Sequence, residues 1–149
     1  MTKKACEGVK VLDFSWAAVG PMSVRYLADH GATAIHVQSW SRPCFLSYQR
    51  PKRNDISHPD YGYWAAIYNA SKMSITLNLE KQGAQAIARR LITQWQPDIL
   101  VESFTPGVMK RFGLDYESVG VIFASFSTRP WDPHASKDPL SSFPRRPTR

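Results

Sequence analysis

The sequence of 149 residues is long enough for one domain with a buried core, and its 43% hydrophobic and 21% charged residues are typical of soluble globular proteins. The formal net charge is +7, but the basic residues form no long basic helix and match no zinc-finger or RNA-binding motif, so we expect no nucleic-acid partner. No apolar run reaches the roughly 20 residues that cross a bilayer, and the two cysteines lie in no metal-ligand spacing, so we expect a cytoplasmic protein that uses neither a membrane nor a metal.

The beginning of the chain predicts a strand, a helix and a second strand. The apolar run Val9–Phe14 is typical of a strand that is buried on both faces. After a loop of small residues, Pro21–His30 has apolar residues on one face and is predicted to be a helix that Gly31 ends. Ala34–Val37 predicts the second strand. A strand–helix–strand unit of this length predicts a parallel sheet.

The next part of the chain is irregular and is followed by the clearest helix. Gln38 to Asn69 contains three prolines and several basic residues, and it predicts a long loop whose aromatic end packs back onto the domain. Ser74–Leu79 alternates like a strand. Lys81–Trp95 carries one continuous apolar stripe and predicts a helix that ends before Pro97.

Two further strands complete the predicted sheet, Ile99–Val101 and Val121–Phe126. Between them, Thr105 is predicted to cap a short helix whose first residue is Pro106. Gly113 is predicted to end this helix, because glycine readily adopts the left-handed conformation found there. The free backbone N–H groups of such a loop predict a site for an anion.

The composition changes near residue 129. Five of the eleven prolines lie in residues 129–149, which have no apolar period and carry a net positive charge. We therefore expect residues 1–128 to form part of an α/β domain and residues 129–149 to be a disordered, Pro-rich basic tail.

The loops that follow the first and fourth predicted strands are the expected place for a ligand, because open α/β sheets bind ligands at the carboxyl ends of their strands. These loops read SWAAVGP and ESFTPG. The first loop supplies only Gly20 and so lacks the glycine pattern of a dinucleotide site, and the chain has no P-loop and no nucleophile elbow. The residue pattern argues against an ordinary NAD, NTPase or hydrolase site.

Three segments, in this order, resemble the class III CoA-transferases, the family of formyl-CoA, carnitine and benzylsuccinate CoA-transferases and of α-methylacyl-CoA racemase. The segments read EGVKVLDFSWAAVGPMSVRYLADHGATAIHVQS, NASKMSITLNLEKQGAQAIARRL and DILVESFTPGVMKRFGLDYESV. The resemblance extends from Glu7 to about Val119. It implies an incomplete large domain with a Rossmann-like parallel sheet and flanking helices. It also implies a homodimeric enzyme that moves CoA between an acyl-CoA thioester and a carboxylic acid.

The resemblance further implies which side of the sheet binds CoA. The implied contacts are Ala18, Val19, Leu77, Asn78, Ser103, Phe104, Thr105 and Arg111. Each has an ordinary structural alternative, which stays open at this stage. Arg111 also suits a solvated helix position, Phe104 is more often a core aromatic, and Lys72 either reaches a phosphate or caps a turn.

Some positions depart from the family pattern. Gln38 stands where the family usually has Glu, and Ser39 stands where some members have Arg. Glu80 replaces the usual Lys. Two basic partners for phosphate are thereby lost, which lowers the expected affinity for CoA. The basic residues of the irregular segment are candidates to replace them: Arg42, Arg50, Lys52 and Arg53.

The catalytic Asp of the transferases, and the acid–base His and Asp of the racemase branch, are expected downstream of the resemblance. Asp132 and Asp138 lie among prolines and are better explained as solvated carboxylates, so we expect no catalytic residue in this chain. We also expect poor stability as a monomer, because the apolar strands need more cover than two good helices provide. The alternatives are a non-catalytic CoA- or nucleotide-binding remnant, a racemase-type relative and a basic interaction module.

Overall fold

The computed structural model describes residues 3–120 and 122–125, which contain one sheet of five strands. The strands are β1 Lys10–Asp13, β2 Thr33–Gln38, β3 Met73–Thr76, β4 Ile99–Glu102 and β5 Ile122–Ser125. Four parallel pairings join them in the order β3–β2–β1–β4–β5. The predicted Rossmann-like parallel sheet is confirmed. The predicted tail, residues 129–149, lies outside the described residues.

Helices lie on both faces of this sheet. They are α1 Val19–Asp29, α2 Tyr63–Asn69, α3 Gln82–Arg90, α4 Val108–Phe112 and α5 Tyr116–Val119. One turn of π-helix, Leu91–Trp95, continues α3, so the predicted helix Lys81–Trp95 is present but changes its hydrogen-bond pattern in the last turn.

The core has two parts because neighbouring strand residues point to opposite faces. Val11 packs with Val24 and Ala28 of α1 on one face of the sheet. Leu12 packs with Ala88 of α3 and Phe112 of α4 on the other. Burial on both faces is the reason why the strands read as continuous apolar runs.

Helix α1 begins earlier than the sequence predicts. The prediction placed its start at Pro21, whereas the helix starts at Val19 with Ala18 as its N-cap. Proline is tolerated two residues inside the helix because the first N–H groups of a helix have no partner within it. The first hydrogen bond along the helix is that of the Met22 N–H, which donates to the carbonyl oxygen of Ala18 at 2.9 Å.

The irregular segment contains a helix that the sequence did not predict. Three short 3₁₀ turns precede α2, which has no fully buried residue and therefore no apolar period to reveal it. The Trp64 and Tyr68 rings stack with centroids 6.0 Å apart, and Trp64 Nε1 donates a hydrogen bond to the carbonyl oxygen of Arg50. The expected packing of this aromatic stretch is only partial, because Tyr61, Tyr63 and Trp64 remain exposed.

The turn before α4 corrects another prediction. Thr105 is not the N-cap and Pro106 is not the first helical residue, since α4 begins at Val108. The N–H of Val108 donates to the carbonyl oxygen of Thr105 at 3.1 Å, and Gly107 has φ +87° and ψ −12°. Proline followed by a glycine of positive φ is typical of a type II turn. Gly113, with φ +64°, ends α4 as predicted.

Strand β3 is shorter than predicted. The alternating residues Ser74–Leu79 predicted a strand, but β3 ends at Thr76. Leu77 and Leu79 are nevertheless buried in the core, and the N–H of Leu77 donates to the carbonyl oxygen of Gln38. The alternating pattern therefore predicted correctly which residues are buried, but not where the strand ends.

Replacing Gly113 by alanine is expected to lower the free energy of unfolding by about 2 kcal/mol. The left-handed conformation costs a residue with a side chain about 1 kcal/mol. The new Cβ would also lie 2.1 Å from Nη2 of Arg89 and displace its hydrogen bond to the carbonyl oxygen of Phe112, a loss of about 1 kcal/mol.

Gly120→Ala is the matched control for this change. Gly120 has nearly the same φ, +65°, but its Cβ would meet no atom of a described residue within 4 Å. We expect a loss of only about 1 kcal/mol, the conformational part. Equal losses for the two variants in urea unfolding would contradict the role given to Arg89.

Candidate functional site

A groove of about 210 Å³ lies where the carboxyl ends of the strands meet α4. We call it the strand-end groove. Its charged and polar lining consists of Gln38, Ser39, Arg42, Asn78, Glu80, Thr105 and Arg111, and its apolar lining includes Trp16, Leu77, Leu79 and Phe104. Strand β1 pairs with β2 on one side and β4 on the other, and such a reversal of strand order is where open α/β sheets bind ligands.

Five of the eight residues predicted to contact CoA line this groove together. They are Leu77, Asn78, Phe104, Thr105 and Arg111. They come from two segments that are distant along the chain, the loop after β3 and the loop and helix after β4, and the parallel sheet brings them to one edge.

Two of these residues keep features of their structural alternatives. Phe104 is half-buried and makes edge-to-face contacts with Trp16, at 5.6 Å, and Phe112, at 6.5 Å. Arg111 is exposed, its guanidinium lies 5.5 Å from the Phe112 ring, and it forms no salt bridge with a described residue. Phe104 thus belongs both to the core and to the groove wall, while the charge of Arg111 remains available to a ligand.

The charge at the mouth of the groove is partly neutralised. Of the four basic residues that were candidates to replace the missing phosphate partners, only Arg42 lines the groove. Its Nη1 lies 3.1 Å from Oε1 of Glu80, and both side chains are mostly exposed. Exposed ion pairs contribute little stability and exchange partners readily. Arg50 pairs with Asp55 and lies outside this lining.

The other three predicted contacts do not line the groove. Ser103 is buried, and its hydroxyl accepts the N–H of Trp16 at 2.6 Å and donates to the carbonyl oxygen of Trp16 at 3.2 Å. Ala18 caps α1, and Val19 is exposed at its start. Ser103 therefore ties the loop after β1 to the loop after β4, and contacts of Ser103, Ala18 and Val19 with CoA stay predictions.

Sequence reasoning missed a buried polar cluster at the carboxyl end of β1. The Asp13 carboxylate is fully buried, and its Oδ2 accepts hydrogen bonds from Lys72 Nζ at 2.9 Å and His36 Nδ1 at 3.2 Å. Its Oδ1 accepts the backbone N–H of Ser15 at 2.9 Å and the Ser15 hydroxyl. Lys72 Nζ also donates to Oδ1 of Asn69 at 3.1 Å. We call these five residues the Asp13 cluster.

The cluster decides the role of Lys72. The Lys72 side chain is 1% exposed and pairs with Asp13, so neither a phosphate contact nor a simple turn cap describes it. A charged residue that ends an apolar strand and a histidine within another strand were the available signals. Neither signal says which groups meet.

Burial and charge act in opposite directions on the Asp13 carboxyl. Burial by itself would raise its pKa, but the hydrogen bond from His36 and the charges of His36 and Lys72 outweigh burial and hold the pKa at about 2. For Lys72 burial is the larger effect and lowers the pKa of the ammonium group, although Asp13 opposes it. The pair is thus ionised although it is buried.

Within residues 3–120 and 122–125, no group of His, Cys, Asp and Glu side chains is placed to hold a metal ion. In the same part of the chain, each helix is too short or too polar to cross a bilayer.

The chain is similar to CoA-transferases over most of its length. The family model described as CoA-transferase family III matches residues 6–124. An acyl-CoA transferase of Fusarium pseudograminearum is 31% identical over an alignment of 152 residues, gaps included. The alignment covers 93% of this chain and 33% of the relative. A formyl-CoA:oxalate CoA-transferase of Bradyrhizobium sp. is 36% identical over 119 residues, 80% of this chain and 27% of the relative.

A solved structure agrees with these matches. A CaiB/BaiF family protein from Brucella suis superposes with a TM-score of 0.68 and 26% identity, covering 83% of this chain and 33% of that protein. The chain therefore spans a third or less of the length of these relatives.

Acid is expected to remove the stability that the Asp13 carboxylate contributes. Its folded pKa of about 2 lies below the ordinary value of 3.8, so the contribution is present above that value and is lost as the pH falls through 3.8 to about 2. The shift corresponds to about 2 kcal/mol. Urea unfolding at a series of pH values measures this loss.

Asp13→Asn tests the same group at neutral pH. It leaves Lys72 buried without a counter-charge and is expected to lower the free energy of unfolding by about 3–5 kcal/mol. Asp29→Asn, which removes an exposed carboxylate, should cost much less. If Asp13→Asn does not fold, the double variant with Lys72→Met restores charge balance and should fold. Unchanged stability and acid dependence in Asp13→Asn would contradict the assignment.

Proposed function

The chain belongs to CoA-transferase family III, and from this premise we propose that its strand-end groove binds the nucleotide end of CoA. The reaction that this binding serves is the transfer of CoA between an acyl-CoA thioester and a carboxylic acid. The observation that carries the proposal is that Leu77, Asn78, Phe104, Thr105 and Arg111 line one groove at the carboxyl ends of parallel strands. The names of the related acyl-CoA and formyl-CoA:oxalate transferases support the substrate class.

The groove suits part of CoA in size and chemistry. Its volume of about 210 Å³ is enough for a nucleobase but not for the whole CoA molecule, so the rest of CoA would extend along the strand ends. Leu77, Leu79 and Phe104 offer apolar surface to a base, and Asn78 and Thr105 offer polar groups near it.

Arg111 is the cation that we assign to a CoA phosphate. It lies at the rim of the groove, it is exposed, and no described carboxylate neutralises it. A guanidinium group binds phosphate through two parallel charge-assisted hydrogen bonds, which a neutral side chain cannot replace.

The part of the reaction assigned to these residues is the binding and orientation of CoA. The Ser103–Trp16 hydrogen bonds hold together the two loops that border the groove, which keeps its wall in place when the ligand enters. The family match covers residues 6–124. Because the resemblance places the nucleophile downstream of the matched segments, we assign the attack on the acyl group to none of the groove residues.

Arg111→Ala is expected to weaken CoA binding by about 1–3 kcal/mol, the scale of a charge-assisted hydrogen bond to phosphate. Lys110→Ala is the matched control, because Lys110 is an exposed cation on the same helix that does not line the groove. Calorimetric titration with CoA compares the three proteins. Equal CoA affinity in the wild type and Arg111→Ala would remove Arg111 from the site and overturn the proposal for this groove.

Glu80→Gln is expected to strengthen CoA binding by about 0.5–1 kcal/mol. The change removes a negative charge from the mouth of the groove and releases Arg42 from its 3.1 Å ion pair. Glu7→Gln serves as the control, since Glu7 precedes β1 and lies towards the opposite edge of the sheet. The gain should shrink at high salt, because it is electrostatic. A weaker or unchanged affinity would show that Glu80 does not oppose phosphate binding.

A further inference from the structure

A second cavity, of about 200 Å³, lies against the Asp13 cluster. Its polar lining consists of His36, Gln38, Ser47, Asn69, Lys72 and Ser74, and Ala65 and Ala66 of α2 belong to its apolar wall. Gln38 also lines the strand-end groove, so the two cavities adjoin. Nothing in the predicted CoA contacts accounts for this cavity.

The polar wall of this cavity is rich in hydrogen-bond donors with spare capacity. An ammonium group has three N–H donors, and Lys72 uses two of them, on Asp13 and Asn69. The hydroxyl groups of Ser47 and Ser74 bond to no described residue. A ligand with acceptor oxygens would satisfy these groups.

His36 adds a buried acceptor. Its side chain is 5% exposed, and because the Asp13 carboxylate only accepts, Nδ1 must carry the proton of their hydrogen bond. Nε2 bonds to no described residue, yet no buried side-chain nitrogen or oxygen in the described part of the chain lacks a partner. Nε2 is therefore not sealed off from solvent, and His36 lines the cavity. In the neutral ring it accepts a proton or a hydrogen bond.

We propose that this cavity binds a small carboxylic acid. One carboxyl oxygen shares its proton with Nε2 of His36, and the other accepts the remaining N–H of Lys72. At neutral pH the anion enters and one proton is taken up from solvent at Nε2. The resulting imidazolium is stabilised by Asp13, while Lys72, whose ammonium group shares Oδ2 of Asp13 with the ring, is already paired. The acid is neutralised where a bare carboxylate beside Asp13 would be repelled.

The size of the cavity limits the acid. At about 30 Å³ for each water, the volume holds about six or seven waters, so the ligand has no more than about that number of non-hydrogen atoms. Its place beside the strand-end groove suggests that the acid is the acceptor of CoA, and this last step rests on the proposed function.

Acetate is the probe that tests the site, and the imidazole nitrogen signals in NMR are the readout. Added acetate is expected to shift the Nε2 signal of His36 from that of an acceptor to that of a protonated nitrogen. His36→Asn keeps an N–H that reaches Asp13, as Nδ1 does, but has no counterpart of Nε2. We expect it to weaken acetate binding at least tenfold. His30→Asn, the same change at an exposed histidine, should leave binding unchanged.

A second variant keeps the test decisive if His36→Asn does not fold. Ala65→Leu fills part of the cavity, replaces no residue of the Asp13 cluster and should abolish acetate binding. Wild-type protein that shows no acetate-dependent shift, or retained binding in Ala65→Leu, would overturn the proposal. Arg111→Ala separates the two sites, because it should lose CoA affinity and keep acetate binding. Acetate binding without CoA binding would support the acid site and count against the proposed function alone.

Discussion

The buried Asp13 carboxylate is the constraint on which the rest of the structure depends. An unpaired charge in the protein interior is costly, so the fold must bring enough donors to Asp13 to hold it ionised. They come from the loop after β1, from the middle of β2 and from the connection between α2 and β3. The cluster therefore fixes the carboxyl end of β1 against two other elements.

The two cavities differ in how firmly their walls are held. The strand-end groove has a fixed floor, where Phe104 packs between Trp16 and Phe112 and Ser103 holds the backbone of Trp16. Its rim carries exposed charges that can change partners. The cavity beside the Asp13 cluster has buried donors and an acceptor whose positions are set by the same ion pair that stabilises the sheet. In this cavity the contacts that position the binding groups are also contacts that stabilise the fold.

Local sequence patterns predicted most of the sheet and the long helices, because burial on one or both faces leaves a period in the sequence. They failed where burial was weak or a turn had its own chemistry. Helix α2 has no fully buried residue and left no period, and Pro106–Gly107 formed a type II turn instead of opening a helix. For the site, the family resemblance rather than periodicity predicted the eight CoA contacts, five of which the parallel sheet brings to one groove.

The sequence by itself determined the parallel α/β sheet, the family and the glycine that ends α4. The strands and the glycine depend on residues close together along the chain, and the family depends on a match that runs along most of the chain. Only the tertiary structure decided what Lys72, His36 and Ser103 do. Lys72 and His36 are 59 and 23 residues from Asp13, and Ser103 is 87 residues from Trp16. The partner of a buried polar group depends on which strands lie side by side, and no local pattern contains that information.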